Sequence, residues 1–225
     1  MKILSVEGLV GAGKTTILQK LKPLLPPRVE LLYEPVEGYQ KYKQFNPLKL
    51  FYDDPSRNAG FVQYHIIEEL EKHFSAQIFD CSTKDTVLVV CERSMFSPKI
   101  FINLLLKRKY INMFEYEKLN EKIQTTISRV LPKECALGAH YLFFIDTSID
   151  TCQKRIALRG REGEINKVED VYLRDMREEY LSYVHKFKVE SGLNTMRSEG
   201  NDDEDSEVLL SSLADFIRDI ILKEK

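Results

Sequence analysis

The apolar residues of this 225-residue chain alternate between short continuous runs and longer stretches with helical spacing. Continuous runs of this length are typical of parallel strands buried on both faces. The sequence predicts such strands at 3–6, 29–33, 86–91 and 141–145, with a weaker fifth strand at 192–198. Because strands and helices alternate, we expect an α/β fold with a mostly parallel sheet of about five strands flanked by helices.

Helical spacing predicts the elements between the strands. We expect helices at 15–22, 47–52, 56–79, 113–130 and 208–222. Residues suited to N-caps introduce the 56–79 helix and three further helices, namely Ser56, Ser97, Ser148 and Asn166 with Glu169. The inward face of the 56–79 helix is predicted to carry Phe61, Ile66, Ile67, Leu70 and Phe74. Since no repeat or linker interrupts the pattern, residues 1–225 are predicted to form a single domain.

Composition narrows the class of protein. A formal net charge of -2 argues against a dedicated nucleic-acid binder, which usually carries a basic patch. The four cysteines have no C-x-x-C spacing and are expected to be reduced core residues. Nothing resembles a signal peptide, and no apolar run approaches membrane-spanning length. We therefore expect a cytoplasmic protein whose partners include neither nucleic acid nor a membrane.

Residues 8–15 form a complete phosphate-loop motif, G-x-x-x-x-G-K-T. The motif lies between the first predicted strand and a predicted helix, which is the context that it requires. Gly8, Gly11 and Gly13 allow backbone N–H groups to face a phosphate at a helix N-terminus. Lys14 is expected to reach the β- and γ-phosphates of ATP, and the Thr15 hydroxyl is expected to bind Mg²⁺.

Other polar side chains follow the predicted strands, so we expect them at the same edge of the sheet. Glu34 is a candidate general base for an acceptor hydroxyl, and Glu92 is a candidate for organising Mg²⁺. The Gly- and Arg-rich segment 159–166 is a predicted lid, with Arg155, Arg159 and Arg161 closing over the transferred phosphate. Taken singly, each of these groups also has a structural interpretation. Glu34 is consistent with a surface acid, Glu92-Arg93 with a structural ion pair, and the arginines with a solvated basic face. Together around one phosphate loop, they favour phosphoryl transfer.

In this order the motifs resemble the deoxyribonucleoside kinase family, the group of thymidine kinase 2-like and deoxycytidine kinase-like enzymes. The resemblance covers about residues 3–180. It rests on residues 7–16, Glu-Pro-Val-Glu at 34–37, Glu-Arg-Ser at 92–94, and Arg155-x-x-x-Arg159-x-Arg161-x-x-Glu164. A further similarity lies at 46–55, followed by Gln63.

The resemblance implies a P-loop kinase fold and ATP- and Mg²⁺-dependent phosphorylation of the 5′-hydroxyl of a deoxyribonucleoside. It implies that Glu34 takes the hydroxyl proton and that Arg93 holds the same hydroxyl. It assigns Tyr52 and Glu164 to the sugar 3′-hydroxyl and Gln63 to the base edge. It adds Thr16 to the ATP site. It also implies a homodimer, for which the 56–79 and 113–130 helices are the expected interface.

The chain departs from the family pattern around the base. The family usually has a tryptophan where this chain has Tyr39, which is expected to supply the aromatic wall instead. The stacking phenylalanine of the family falls at Phe101 or Ile102. Apolar residues stand where purine-tolerant members tend to be more polar, and they favour a pyrimidine; these are Ile66, Leu70 and Pro98.

Three alternatives remain open on the sequence. A thymidylate kinase has a similar phosphate loop, but its Glu-Pro motif continues with glycines where this chain has Val36-Glu37. A regulatory GTPase usually carries Asn-Lys-x-Asp after a late strand, where this chain has Asp146-Thr147-Ser148. A non-catalytic kinase-like subunit tends to lose the loop lysine or the base, whereas this chain has both.

Overall fold

The sheet is parallel throughout and has five strands. The computed structural model describes residues 1–131, 140–164, 167–191, 195–199 and 203–222. The strands lie in the order β2-β3-β1-β4-β5. They are β1 (Lys2–Gly8), β2 (Val29–Leu32), β3 (Leu88–Glu92), β4 (His140–Asp146) and β5 (Thr195–Glu199). The parallel α/β architecture predicted from the sequence is confirmed, and it matches a P-loop kinase fold.

Helices connect the strands and cover both faces of the sheet. They are α1 (Lys14–Leu21), α2 (Val36–Tyr39), α3 (Pro47–Asp53), α4 (Pro55–Thr83), α5 (Ser97–Lys107), α6 (Met113–Val130), α7 (Ile149–Arg159), α8 (Asp170–Ser191) and α9 (Asp203–Leu222). The one-turn helix α2 was not predicted. Within the described residues, no helix has the length and apolar character needed to cross a bilayer.

Two of the predicted N-caps are wrong. Asp54 caps α4 in place of Ser56, because its Oδ1 accepts from the Arg57 backbone N–H at 3.2 Å. Ser97 is the first residue of α5 rather than its cap. Its hydroxyl faces the interior, where it accepts from the Ser94 backbone N–H at 2.7 Å. Ser148 caps α7 as predicted.

The Asn166 cap lies outside the described residues, and α8 begins at Asp170.

The core lies on both faces of the sheet because side chains of a strand alternate between them. Leu142 and Phe144 of β4 pack with the cluster built from α3 to α8. Phe143 and Ile145 of the same strand pack with α1 and α9. Cys81, Cys91 and Cys152 are buried and free, which fits the expectation for reduced core thiols; Cys135 is outside the described residues.

The predicted inward face of α4 is wrong at one position. Phe61 is 41% exposed, whereas the neighbouring Val62 is 2% exposed and packs in the core. The buried stripe therefore passes through Val62, Ile67, Leu70 and Phe74, with Ile66 partly buried beside it. Phe61 instead meets the Tyr42 ring edge to face at 5.4 Å.

The topology brings the ends of β1, β2 and β3 to one edge of the sheet. Glu92 at the end of β3 is in register with Val6 of β1. On the other side of β3, Cys91 is in register with Leu32, two residues before Glu34. The phosphate loop follows β1 directly, so it faces both glutamates.

Candidate active site

The phosphate loop has the backbone that its glycines were predicted to allow. Gly11 and Gly13 have φ values of 81° and 90°, in the left-handed region that favours glycine. A Cβ on Gly11 would lie 2.6 Å from the Cys152 carbonyl oxygen, so α7 leaves no room for a side chain there. Gly13 is the residue immediately before α1. The first backbone N–H groups of the helix therefore point toward the cleft.

Lys14 is folded back onto the phosphate loop. Its Nζ donates to the backbone carbonyls of Leu9 at 2.9 Å and Gly8 at 3.3 Å. Burial, together with the nearby Arg93 guanidinium, lowers the pKa of Lys14 to about 8. A phosphate oxygen in the loop would supply the negative charge that this buried ammonium lacks.

Thr15 and Glu92 face each other at the predicted metal position. The Thr15 hydroxyl donates to Glu92 Oε1 at 2.5 Å, and Glu92 Oε2 accepts from the Glu34 backbone N–H at 3.4 Å. Among the described residues no cluster of three or more His, Cys, Asp or Glu side chains could hold a metal. One hydroxyl and one carboxylate fit Mg²⁺, because this ion keeps several waters and binds substrate phosphates. The pair is therefore suited to Mg²⁺ that arrives with a nucleotide.

Arg93 and Glu34 form a partly buried ion pair beside the phosphate loop. Arg93 Nε lies 3.1 Å from Glu34 Oε1, and the guanidinium stacks over the Phe101 ring at 5.0 Å. Burial alone would lower the pKa of Arg93, but Tyr180, Glu34 and Glu7 outweigh it, and the pKa is raised. Arg93 is thus a permanent cation whose guanidinium holds the Glu34 carboxylate in place.

A carboxylate that we did not predict as part of the site lies behind Arg93. Glu7, at the end of β1, is fully buried, and its Oε2 lies 3.7 Å from Arg93 Nη1. It accepts from Ser97 Oγ at 2.5 Å and from the Tyr180 hydroxyl at 3.3 Å. A charged residue inside the apolar β1 run was the available signal, since a buried carboxylate needs partners.

The lid arginines converge on one glutamate. Arg161 Nη1 donates to Glu164 Oε1 at 3.0 Å, and Arg159 Nη2 donates to Glu164 Oε2. Glu164 is 2% exposed. Burial, then Tyr172 and Glu164, hold the pKa of Tyr52 well above its usual value. Tyr52 and Glu164 line a single cleft, where the predicted 3′-hydroxyl site would lie.

The lid lies against α3 and the phosphate loop. A Cβ on Gly163 would lie 2.9 Å from the Lys49 Cα, so the lid backbone directly contacts α3. Arg155 Nη1 donates to the Ala12 carbonyl at 3.2 Å, which ties α7 to the phosphate loop. Residues 165–166, the end of the predicted lid, lie outside the described residues.

One cleft of about 620 Å³ gathers the predicted site residues. They are Gly11, Gly13, Lys14, Thr15, Thr16, Glu34, Tyr39, Tyr52, Gln63, Glu92, Arg93, Arg155, Arg159, Arg161 and Glu164. Gly8 is not in the lining, because it packs against β4, where a Cβ would lie 2.9 Å from the Ile145 carbonyl oxygen. Phe101 lines the cleft and Ile102 is buried in the core, so of the two predicted positions Phe101 is the one that faces the cleft.

One part of the cleft lining is more apolar than the part formed by the phosphate loop. It consists of Ile66, Leu70 and Pro98, together with Gln63. Tyr39 is 4% exposed, and within the described part of the chain its hydroxyl has no hydrogen-bond partner. Burial, then Glu34, raise the pKa of Tyr39 well above its usual value, so the phenol remains neutral.

Comparison with known proteins agrees with the family resemblance seen in the sequence. A model of the deoxynucleoside kinase family matches residues 4–218. Human mitochondrial thymidine kinase 2 is 27% identical over 190 residues, which cover 84% of this chain and 63% of the relative. The protein of the same name from Macaca fascicularis is 26% identical over the same shares of both chains. The chain thus spans less than two thirds of the length of these relatives.

A second group of relatives has a different description. The mitochondrial NADH dehydrogenase [ubiquinone] 1 alpha subcomplex subunit 10 of Bos taurus is 25% identical over 193 residues. The match covers 80% of this chain and 54% of that subunit. Both groups are described as mitochondrial, which does not match the cytoplasmic location expected from the sequence.

Proposed function

The chain belongs to the deoxynucleoside kinase family, and we propose that it transfers the γ-phosphoryl group of ATP to the 5′-hydroxyl of a deoxyribonucleoside. The observation that carries the proposal is the Glu34–Arg93 pair, at 3.1 Å, in the same cleft as the phosphate loop. The two halves of a phosphoryl-transfer site are thus adjacent: anion-binding groups for the donor, and a carboxylate for the acceptor proton.

The donor half is built from the loop and the lid. Backbone N–H groups from Gly11 to Thr15 and the Lys14 ammonium would hold the phosphates, while Arg155, Arg159 and Arg161 stabilise charge on the transferred group. Mg²⁺, when bound with ATP, neutralises charge between the β- and γ-phosphates, and the Thr15 hydroxyl and the Glu92 carboxylate are the groups that would hold it. Thr16, at the start of α1, lies at the same end of the cleft.

The acceptor half favours a neutral hydroxyl. Glu34 lies 3.1 Å from Arg93 in this part of the cleft. Its carboxylate would repel an incoming phosphate, whereas a carboxylate beside a hydroxyl accepts its proton as the oxygen attacks. The alternative of a thymidylate kinase, which acts on a monophosphate, is therefore disfavoured.

The remaining groups suit the sugar and the base of a nucleoside. Tyr52 and Glu164 offer a phenol and a carboxylate for the 3′-hydroxyl. The Gln63 amide has both a donor and an acceptor for a base edge, and Phe101 and Tyr39 are the aromatic walls. The apolar lining beside Gln63 offers few partners for the additional polar groups of a purine, which supports a preference for pyrimidines.

A second candidate is a kinase-like subunit without activity. The similarity to a subunit of an NADH dehydrogenase favours it. Lys14, Thr15, Glu34 and Arg93 argue against it, since all four residue types that phosphoryl transfer needs are present and line one cleft. Measured ADP release distinguishes the two.

We also propose a homodimer, with α4 and α6 in the interface. Large apolar side chains are exposed on these helices, at Phe61, Tyr64, Met113 and Phe114. Sedimentation equilibrium would give twice the chain mass for a dimer and the chain mass for a monomer. Nucleic acid and membranes are not proposed partners, and a cytoplasmic location stays a prediction.

Substitution of the proposed base tests the function. We expect Glu34→Gln to lower kcat for the deoxyribonucleoside by roughly 10²–10⁴, the usual contribution of a positioned base. Glu37→Gln is the matched control, because Glu37 lies three residues further on and is exposed. A Glu34→Gln enzyme that retains kcat within a few-fold of wild type would show that Glu34 is not the base.

A further inference from the structure

Arg93 has an unusual backbone for a residue of its type. Its φ is 64°, in the left-handed region that residues other than glycine rarely adopt. Its backbone N–H donates to the Val6 carbonyl of β1 at 3.0 Å. Such strain persists only where surrounding contacts over-determine it. The side chain therefore leaves the end of β3 in a fixed direction.

The guanidinium of Arg93 is held from two sides. Its Nε faces Glu34, while its Nη1 donates to the Tyr180 hydroxyl of α8. That hydroxyl in turn donates to Glu7 Oε2 at 3.3 Å. Tyr180 thus bridges Arg93 and Glu7, whose Nη1 and Oε2 atoms lie 3.7 Å apart, beyond the range of a direct hydrogen bond.

The position of the bridging hydroxyl is itself fixed. Tyr180 is fully buried, and its ring stacks on Phe144 of β4 with centroids 5.5 Å apart. Burial holds the pKa of Tyr180 well above its usual value. The phenol therefore remains neutral and can accept from Arg93 while it donates to Glu7.

We propose that Tyr180 is a positioning residue: its hydroxyl separates Arg93 from Glu7, so that the guanidinium stays directed at Glu34. The proposal rests on the proposed function only where it concerns catalysis. Two carboxylates, Glu7 and Glu34, compete for one cation. Without the phenol, Arg93 has a direct path to the fully buried Glu7, where an unpaired charge is most costly. Glu34 would then lose the guanidinium that orients its carboxylate.

The two partners of the bridge predict opposite changes at the Arg93 Nε–H that faces Glu34. Tyr180→Phe frees Arg93 to turn toward Glu7, so we expect hydrogen exchange at this group to become faster. Glu7→Gln removes the competing charge, so we expect the same exchange to become slower. The titratable or charged groups that face Arg93 come from each element around it: Glu7, Lys14, Glu34, Tyr39, Glu92, Tyr172 and Tyr180. None but Glu7 and Tyr180 changes in these variants.

The test uses a readout of Arg93 itself and a readout of catalysis. In ¹⁵N–¹H spectra, the Arg93 Nε–H signal is assigned by its loss in Arg93→Lys. We expect Tyr180→Phe to shift this signal and to speed its hydrogen exchange roughly tenfold. Tyr141→Phe is the control, because Tyr141 is also buried but lies on the opposite face of the sheet, where its ring packs against Phe216 at 6.3 Å. An unchanged Arg93 signal in Tyr180→Phe overturns the proposal.

The kinetic readout separates this proposal from the proposed function. We expect Tyr180→Phe to lower kcat roughly tenfold, the lower range for losing a hydrogen bond to a charged group, with KM for ATP unchanged. Exchange rates at the Arg93 Nε–H that move in the same direction in Tyr180→Phe and Glu7→Gln would also overturn it. If wild type phosphorylates no nucleoside, the proposed function fails, and the Arg93 signal alone then decides the positioning role.

Discussion

A side chain added at Gly163 tests whether the lid must lie against α3. A Cβ there would lie 2.9 Å from the Lys49 Cα and 3.3 Å from its Cβ. Carbon atoms in contact prefer about 3.5–4.0 Å, so Gly163→Ala must move the lid backbone away by roughly 0.6–1 Å. The next residue is Glu164, which binds Arg159 and Arg161. Misplacement of reacting groups by about 1 Å can cost 10²-fold, so we expect kcat/KM to fall by roughly 10–100-fold.

Gly160 provides the matched control for this substitution. Gly160 and Gly163 have φ values of 65° and 87°, so an alanine at either position carries a similar backbone cost. A Cβ at Gly160, however, would have nothing within 4 Å. We expect Gly160→Ala to keep kcat/KM within a few-fold of wild type, measured by coupled ADP release with a deoxyribonucleoside. Equal losses in the two variants would refute a role for lid–α3 contact, since only the backbone cost would then remain.

Two further predictions concern the donor half of the site. The pKa of Lys14 is lowered to about 8, and bound phosphates would raise this pKa. We therefore expect ATP binding at pH 8 to take up about half a proton. Calorimetry in buffers of different ionisation enthalpy measures this proton uptake. Lys14→Arg, which stays charged, would show no such uptake, and an equal uptake would contradict the assignment. Glu92→Gln should raise the Mg²⁺ concentration for half-maximal rate roughly 10–100-fold. Thr15→Ser keeps the hydroxyl, so its Mg²⁺ concentration for half-maximal rate should stay within a few-fold of wild type. A larger increase in Thr15→Ser than in Glu92→Gln would exclude the proposed metal ligands.

Local sequence patterns predicted the parts of the molecule that depend on neighbouring residues. The apolar runs predicted the parallel strands, and the phosphate loop was placed correctly because its glycines, lysine and threonine act within eight residues. The ordered motifs led to the family that the comparison shows. The strand ends then brought Glu34 and Glu92 together, as parallel topology requires.

Local sequence patterns did not predict contacts between residues that are far apart in the chain. The Tyr180 hydroxyl reaches Glu7 across 173 residues, and no periodicity indicates that pair. Tyr180 also belongs to the buried core cluster, and nothing in its local sequence indicates a role beside Arg93. Ser97 was interpreted as a cap because Pro98 follows it, but a buried carboxylate competes for the same hydroxyl. Polar groups that satisfy a buried charge are determined by tertiary packing rather than by local propensity.

The central claim is that the cleft phosphorylates a nucleoside rather than a nucleotide. The most direct measurement is ADP release with each of the four deoxyribonucleosides and with thymidine monophosphate, under saturating ATP and Mg²⁺. We predict turnover with at least one deoxyribonucleoside, with pyrimidines favoured, formation of its 5′-monophosphate, and no turnover of thymidine monophosphate. Turnover of the monophosphate alone, or of none of the five, would contradict the account.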